Sequence, residues 1–196
     1  MENGIHIVVI LGSVRPGNNT GKAAALVIDE LRTRGVSCSV IDPTGMHLPF
    51  PGETPREPEA LKTLRQTVAG ATGIVFASPE YHGSYSSVAK ALIDNLGFPS
   101  ALAGKPVALL GVAAGSIGAI KATEHLRSVL SHVGALVLPG PVSVANVRTV
   151  FDGEGNVLDP AVEKRIRGLA GTLLDYIHRH LCPSIALEAM VRGEEG

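Results

Sequence analysis

The run Ile5–Leu11 (Ile-His-Ile-Val-Val-Ile-Leu) is the length of one strand and, His6 apart, apolar on successive residues. A strand of that kind needs cover on both faces, the situation of a parallel sheet between two layers of helices. The pattern recurs at Val36–Ile41, Gly73–Ala77, Pro106–Leu110 and Ala135–Leu138, with segments of helical period in between. From about Gly21 to Arg34, Ala24, Val27, Ile28 and Leu31 fall on one helix face, and Gly35 ends the helix. Leu61, Leu64 and Val68 mark a second helix, Ser86–Leu96 a third, Gly118–Val133 a fourth, and Asp159 to about His180 a fifth. The third is apolar over a wide arc (Val88, Leu92 and Leu96, with Ala89 and Ile93 beside them), as expected of a helix at a subunit interface.

Five strands alternating with helices specify an α/β three-layer sandwich on a five-stranded parallel sheet, and right-handed crossovers favour the order 2-1-3-4-5. At 196 residues the chain is expected to form one domain, residues 1–182, with a loosely held C-terminal tail at 183–196. Hydrophobic residues make up 45% but aromatics only 4%, so Val, Ile, Leu and Ala must fill the interior. A net charge of −1 argues against a nucleic-acid binder, which would need a basic face. No apolar run approaches the ~18 residues that cross a membrane. Cys38 and Cys182 lack metal-ligand spacing and are expected to be reduced thiols. Without a charged n-region or a cleavage pattern at the N-terminus, a cytoplasmic protein is expected.

In such sheets ligands bind beyond the carboxyl ends of the strands, where the strand order switches. Three loops therefore matter, those after Leu11, Ala77 and Gly111. The first, Gly12-Ser-Val-Arg-Pro-Gly-Asn-Asn-Thr20, joins a strand end to a helix N-terminus, whose free N–H groups and dipole favour an anion. Ser13, Asn18, Asn19 and Thr20 add donors, and Arg15 balances part of a phosphate's charge. The Walker spacing fails because Gly17 is followed by Asn18-Asn19, and the dinucleotide Gly-x-Gly-x-x-Gly fingerprint is absent. Spacing alone leaves open a phosphate site or an ordinary capped strand–helix turn.

The second loop contains Pro79-Glu80-Tyr81-His82-Gly83-Ser84-Tyr85. Together, GSVRPGNNT and PEYHGSY resemble the phosphate loop and the Pro-Glu-Tyr-Asn-Gly-Ser segment of NAD(P)H-dependent FMN reductases, a flavodoxin-like family with quinone, azo-dye and chromate reductases. The likeness runs loosely from Ile5 to Pro141. It implies that Ser13, Arg15, Asn18 and Thr20 hold the FMN phosphate, with Asn18 where the family usually has Ser; Asn19 is a further cofactor-binding candidate as a donor in the same loop. It also implies that Pro79, Glu80, Tyr81, His82, Gly83 and Ser84 hold the isoalloxazine. Glu80 has a competing reading as a capping or ion-pair residue. His82, where the family often has Asn, reads as a polar lining residue or as a donor that makes turnover pH-dependent.

The third loop, Gly111–Gly118, is rich in small residues. By resemblance Ala113, Ala114 and Gly115 approach the pyrimidine edge of the flavin. A hydrolase elbow is nearly spelled around Ser116, but Ala114 breaks it. His125, His132, His178 and His180 form no compact metal-ligand pattern, and Lys164-Arg165-x-Arg167 reads as a solvated helix face. The long Pro-rich loop Pro43–Pro58 would, by resemblance, help roof the site, either of its own chain or across a subunit boundary.

The resemblance thus implies an oxidoreductase that passes electrons from NADPH or NADH through FMN to a quinone, flavin, azo or metal-oxyanion acceptor, as a homodimer or homotetramer. No side chain is assigned acid–base catalysis and no metal is expected, since the flavin carries the chemistry. A non-enzymatic FMN carrier or sensor, and a phosphate-loop module for another ligand, stay open at this point.

Overall fold

Along β1 (His6–Leu11) the side chains part by alternation: Ile7, Val9 and Leu11 enter one core, and Val8 and Ile10 the other. The structure, a computed structural model, describes residues 4–182, and the tail expected at 183–196 lies outside the described residues. The other strands are β2 (Ser37–Ile41), β3 (Gly73–Tyr81), β4 (Ser84–Tyr85), β5 (Pro106–Val112), β6 (Leu136–Val137) and β7 (Val142–Val144). The sheet order is β2-β1-β3-β5-β6, with these pairs parallel. With the short hairpin arm β4 set aside, this is the expected 2-1-3-4-5 order of a flavodoxin-like sheet.

Helices α1 (Asn19–Thr33) and α5 (Pro160–Tyr176) cover one face, and α2 (Pro58–Ala69), α3 (Ser87–Asp94) and α4 (Ile120–His132) the other. Ala23, Ala24, Val27 and Leu31 of α1 meet Ile166, Leu169, Ala170 and Leu173 of α5 in the first core. Leu61, Leu64, Leu92, Ile93, Leu126 and Leu130 fill the second around Phe76. Beyond Tyr176 the last helix continues as a π-helical turn, Ile177–Leu181.

Three expectations need correction. The apolar arc of the third helix is covered by the chain's own second core: Ala89, Leu92, Ile93 and Leu96 are all buried. The basic stretch in α5 is not merely solvated. Arg167 bonds Asp29 of α1 at 2.7 Å and Glu163 at 2.8 Å, and Arg165 donates to the Ser143 carbonyl at 2.6 Å. The fifth strand position is also split. β6 pairs with the start of β5 (Val107 opposite Val137) and β7 with its end (Leu110 opposite Val142), because Pro139 and Pro141 between them cannot donate to the ladder.

Candidate active site

The loop after β1 stays close to β3. Gly12 N–H donates to the Ala77 carbonyl at 2.7 Å, and a Cβ on Gly12 would lie 3.0 Å from that same oxygen. Asn18 is the N-cap of α1. Its Oδ1 accepts from Gly21 N–H at 2.7 Å, and its Nδ2 donates to the Arg15 carbonyl at 2.7 Å. Asn18 therefore shapes the loop, with one amide hydrogen still to offer. The helix starts earlier than expected, at Asn19. Asn19 and Thr20 supply the first N–H groups of the helix, and no acceptor among the described residues takes them up. The Thr20 and Ser13 side chains are buried, and Ser13 Oγ accepts a long bond of 3.5 Å from Arg15 N–H.

The segment expected as a loop at 78–85 is a tight hairpin. β3 runs on to Tyr81, and Glu80 and Tyr81 pair antiparallel with Tyr85 and Ser84. The two turn residues, His82 (φ 50°) and Gly83 (φ 74°), both lie in the left-handed region, as a primed hairpin turn requires. Asn-Gly is the usual pair for such a turn, which explains why a side chain in the first position is tolerated only at some cost. The arm is docked on α4: Glu80 Oε2 accepts from Ala122 N–H at 3.0 Å, and Ser84 Oγ and His125 Nδ1 share a hydrogen bond of 3.1 Å. Ala119, which precedes α4, makes no side-chain cap, so Glu80 supplies one from a distant strand. Its capping reading is correct.

The third wall is built from two segments. Ala113 N–H donates to Val144 O (2.9 Å), Val147 N–H to Ala113 O (3.0 Å) and Asn146 N–H to Gly115 O (3.0 Å). These bonds tie the loop after β5 to the chain that leaves β7. Asn146 is itself left-handed (φ 47°) and starts a 3-10 turn, Val147–Thr149.

Between these walls lies a cleft of about 420 Å³, within the range of small-molecule sites. Of the expected residues, Arg15, Asn18, Asn19, Pro79, Glu80, Tyr81 and Ala114 line it. Ser13, Thr20, His82, Gly83, Ser84, Ala113 and Gly115 stand behind the walls or beside them. Nothing from the Pro43–Pro58 loop lines the cleft; that loop is held to the end of α3 by Asn95 Nδ2 donating to the Pro49 carbonyl at 3.0 Å. Val112, Val147 and Arg148 also line the cleft and were not anticipated. Their signal in the sequence is one charged residue, Arg148, inside the otherwise uncharged stretch Val142–Phe151.

The charges are uneven. Arg15 and Arg148 both face the cleft, and neither guanidinium has an ion-pair or hydrogen-bond partner among the described residues. The one lining carboxylate, Glu80, is engaged by Ala122. The cleft thus offers guanidinium and free N–H groups together with the apolar and aromatic surface of Pro79, Tyr81, Val112, Ala114 and Val147. A ligand that carries both a phosphate and a flat ring fits this combination. Among the described residues no group of three His, Cys, Asp or Glu could hold a metal ion, and no helix is long and apolar enough to cross a membrane.

Comparison with known proteins gives a consistent result. The family model described as NADPH-dependent FMN reductase matches residues 5–149. An NAD(P)H-dependent FMN reductase of Pseudomonas aeruginosa is 30% identical over 185 residues, which is 91% of this chain and 98% of that protein. An NADPH azoreductase of a Bacillus species is 31% identical over 171 residues, 87% of this chain and 93% of that protein. The solved structure of FerB, a flavoenzyme NAD(P)H:(acceptor) oxidoreductase from Paracoccus denitrificans, shares the fold with a TM-score of 0.73 at 24% identity, covering 90% of this chain and 98% of that one. With a family match over most of the chain and two relatives aligned along nearly their whole lengths, the chain belongs to the NADPH-dependent FMN reductase family, whose members use FMN and NAD(P)H.

Proposed function

We propose that FMN sits in the cleft between the Arg15–Asn19 loop and the Pro79–Tyr81 arm, and that the protein reduces a small-molecule acceptor at the expense of NAD(P)H. The observation that carries this reading is the meeting of unpaired guanidiniums with apolar and aromatic side chains in one cleft, at the carboxyl ends of β1, β3 and β5. Arg15 and the N–H groups of Asn19 and Thr20 hold the phosphate, and Asn18 keeps the loop in shape for it. Pro79, Glu80 and Tyr81 line the ring from one side and Ala114 from another, with Ser13, His82, Gly83, Ser84, Ala113 and Gly115 supporting those walls. The two-electron redox chemistry is the flavin's own, so the protein binds, orients and excludes water, and needs no general base. Half-exposed Tyr81 gives the cleft an aromatic surface for quinone, azo and free-flavin acceptors, and the two guanidiniums suit a metal oxyanion.

The same reading includes a homodimer. Phe98 is fully exposed and Phe50 is 70% exposed, and the Asn95–Pro49 bond brings their two segments together. Such an apolar surface suits a second copy of the chain. A cytoplasmic location is part of the proposal too, supported by unpaired Cys38 and Cys182.

The deciding experiment uses the purified protein under anaerobic conditions. It should be yellow, NADPH should bleach it, and added benzoquinone should restore the colour. Yellow protein that NADPH and NADH both fail to bleach would make it an FMN carrier. Colourless protein that refuses added FMN would remove the flavin site from this cleft.

A further inference from the structure

Arg148 comes from a part of the chain remote in sequence from both flavin loops, yet it faces the same cleft as Arg15. Its mounting is specific. The Asn146 backbone is left-handed, Thr149 N–H and Oγ1 both donate to the Asn146 carbonyl at 2.9 Å, and Val147 and Asn146 are bonded to the loop after β5. The segment then runs along α1. Val147, Val150 and Phe151 share a core with Ala23, Ala24 and Val27, and Lys22 Nζ donates to the Asp152 carbonyl at 3.2 Å. Lys22, in the first turn of α1, thus ties down the chain four residues beyond Arg148, and Arg148 lines the cleft together with Asn18 and Asn19 at the end of the phosphate loop. A left-handed non-glycine residue costs backbone energy, and such positions cluster where a side chain must be aimed.

Charge arithmetic assigns its partner. A phosphate monoester carries close to two negative charges near neutral pH. Arg15 supplies one positive charge and the end of α1 about half of one. The balance is what a second guanidinium provides, and Arg148 has no acid competing for it among the described residues. We propose that Arg148 closes a two-arginine clamp on the terminal phosphate of the flavin, making the site selective for FMN over the unphosphorylated riboflavin. This rests on the flavin reading above and adds to it a residue outside both flavin-binding segments.

The test titrates flavin-free protein with FMN and with riboflavin, for wild type, Arg148→Ala and Arg148→Gln, with thermal melting as a check on folding. Each variant should weaken FMN by about 10- to 100-fold, the scale of a lost charge-assisted contact, and change riboflavin by less than about threefold. The dependence of FMN affinity on salt should also become shallower in both variants. Equal losses for the two flavins, or no loss for either, would overturn the clamp while leaving the flavin site intact. Unchanged FMN binding with a KM raised for NADPH but not NADH would assign Arg148 to the extra phosphate of the co-substrate, and would equally overturn it. Wild-type protein that binds neither flavin would instead defeat the underlying reading.

Discussion

Ser86 Oγ donates to the carbonyl of Gly12, across seventy-four residues of sequence, while accepting from Ala89 N–H at 3.0 Å as the N-cap of α3. One hydroxyl thus caps a helix and fixes the start of the phosphate loop. The contact is buried, and Ser86 N–H is itself held by Ser78 Oγ at 3.2 Å. Removing the hydroxyl leaves a buried carbonyl and an uncapped helix start.

Ser86→Ala is therefore expected to cost about 1–2 kcal/mol of folding stability. It should also weaken FMN binding several-fold, because the loop loses its anchor. Urea unfolding and flavin titration measure the two effects. A stability loss with unchanged FMN affinity would show that the loop is held by the Gly12–Ala77 bond alone.

The five strands and their order were legible because strands buried on both faces are written as continuous apolar runs, as in Ile5–Leu11 and Pro106–Leu110. The hairpin was not. Its paired residues Glu80, Tyr81, Ser84 and Tyr85 are polar or amphipathic, and their ladder depends on docking against α4 rather than on a hydrophobic pattern. The start of α1 was obscured by adjacent Asn18, Asn19 and Thr20, any of which is a good N-cap by residue type. Arg148 was missed because Pro139 and Pro141 mark an end to the fifth strand that the chain then bypasses.

His82 occupies a left-handed position at the tip of the hairpin and does not line the cleft. His82→Asn places the preferred residue type in that turn and is expected to raise stability by about 0.5 kcal/mol. Its activity profile between about pH 5.5 and 8.5 should match that of the wild type. A profile that flattens in the variant would place the imidazole at the reacting partners after all.

Arg15→Ala should weaken FMN by about 10-fold or more and riboflavin much less, since it deletes a phosphate contact and leaves the apolar end of the cleft intact. Combined with Arg148→Ala, the loss should be less than the product of the two single effects, because both guanidiniums act on one group. Fluorescence titration of the three proteins reads this directly, and strictly independent losses would argue for two separate anions.

The Asp152 carboxylate is held below its ordinary range, first by the Asn156 side-chain amide at 2.9 Å and then by backbone N–H groups of Asn156, Glu154 and Gly155. A depressed carboxylate contributes stability that is complete above its unfolded value of 3.8 and lost as pH falls through the lower folded value. Asp152→Asn removes this term. The stability gap between wild type and variant should therefore narrow as the pH drops below about 4, as urea midpoints across the acid range would show. A constant gap would mean that the turn is stabilised by geometry and not by charge.

The broken fifth strand has a consequence for the protein's behaviour in concentrated solution. An unbroken outer strand would display a row of unpaired backbone groups on which another chain could polymerise. Here that border is cut into β6 and β7, of two and three residues, with Pro139 and Pro141 in the gap. Neither fragment offers a run long enough to seed cross-chain strand addition. Self-association on that side is thereby discouraged, consistent with the exposed Phe50 and Phe98 surface as the proposed contact between copies of the chain.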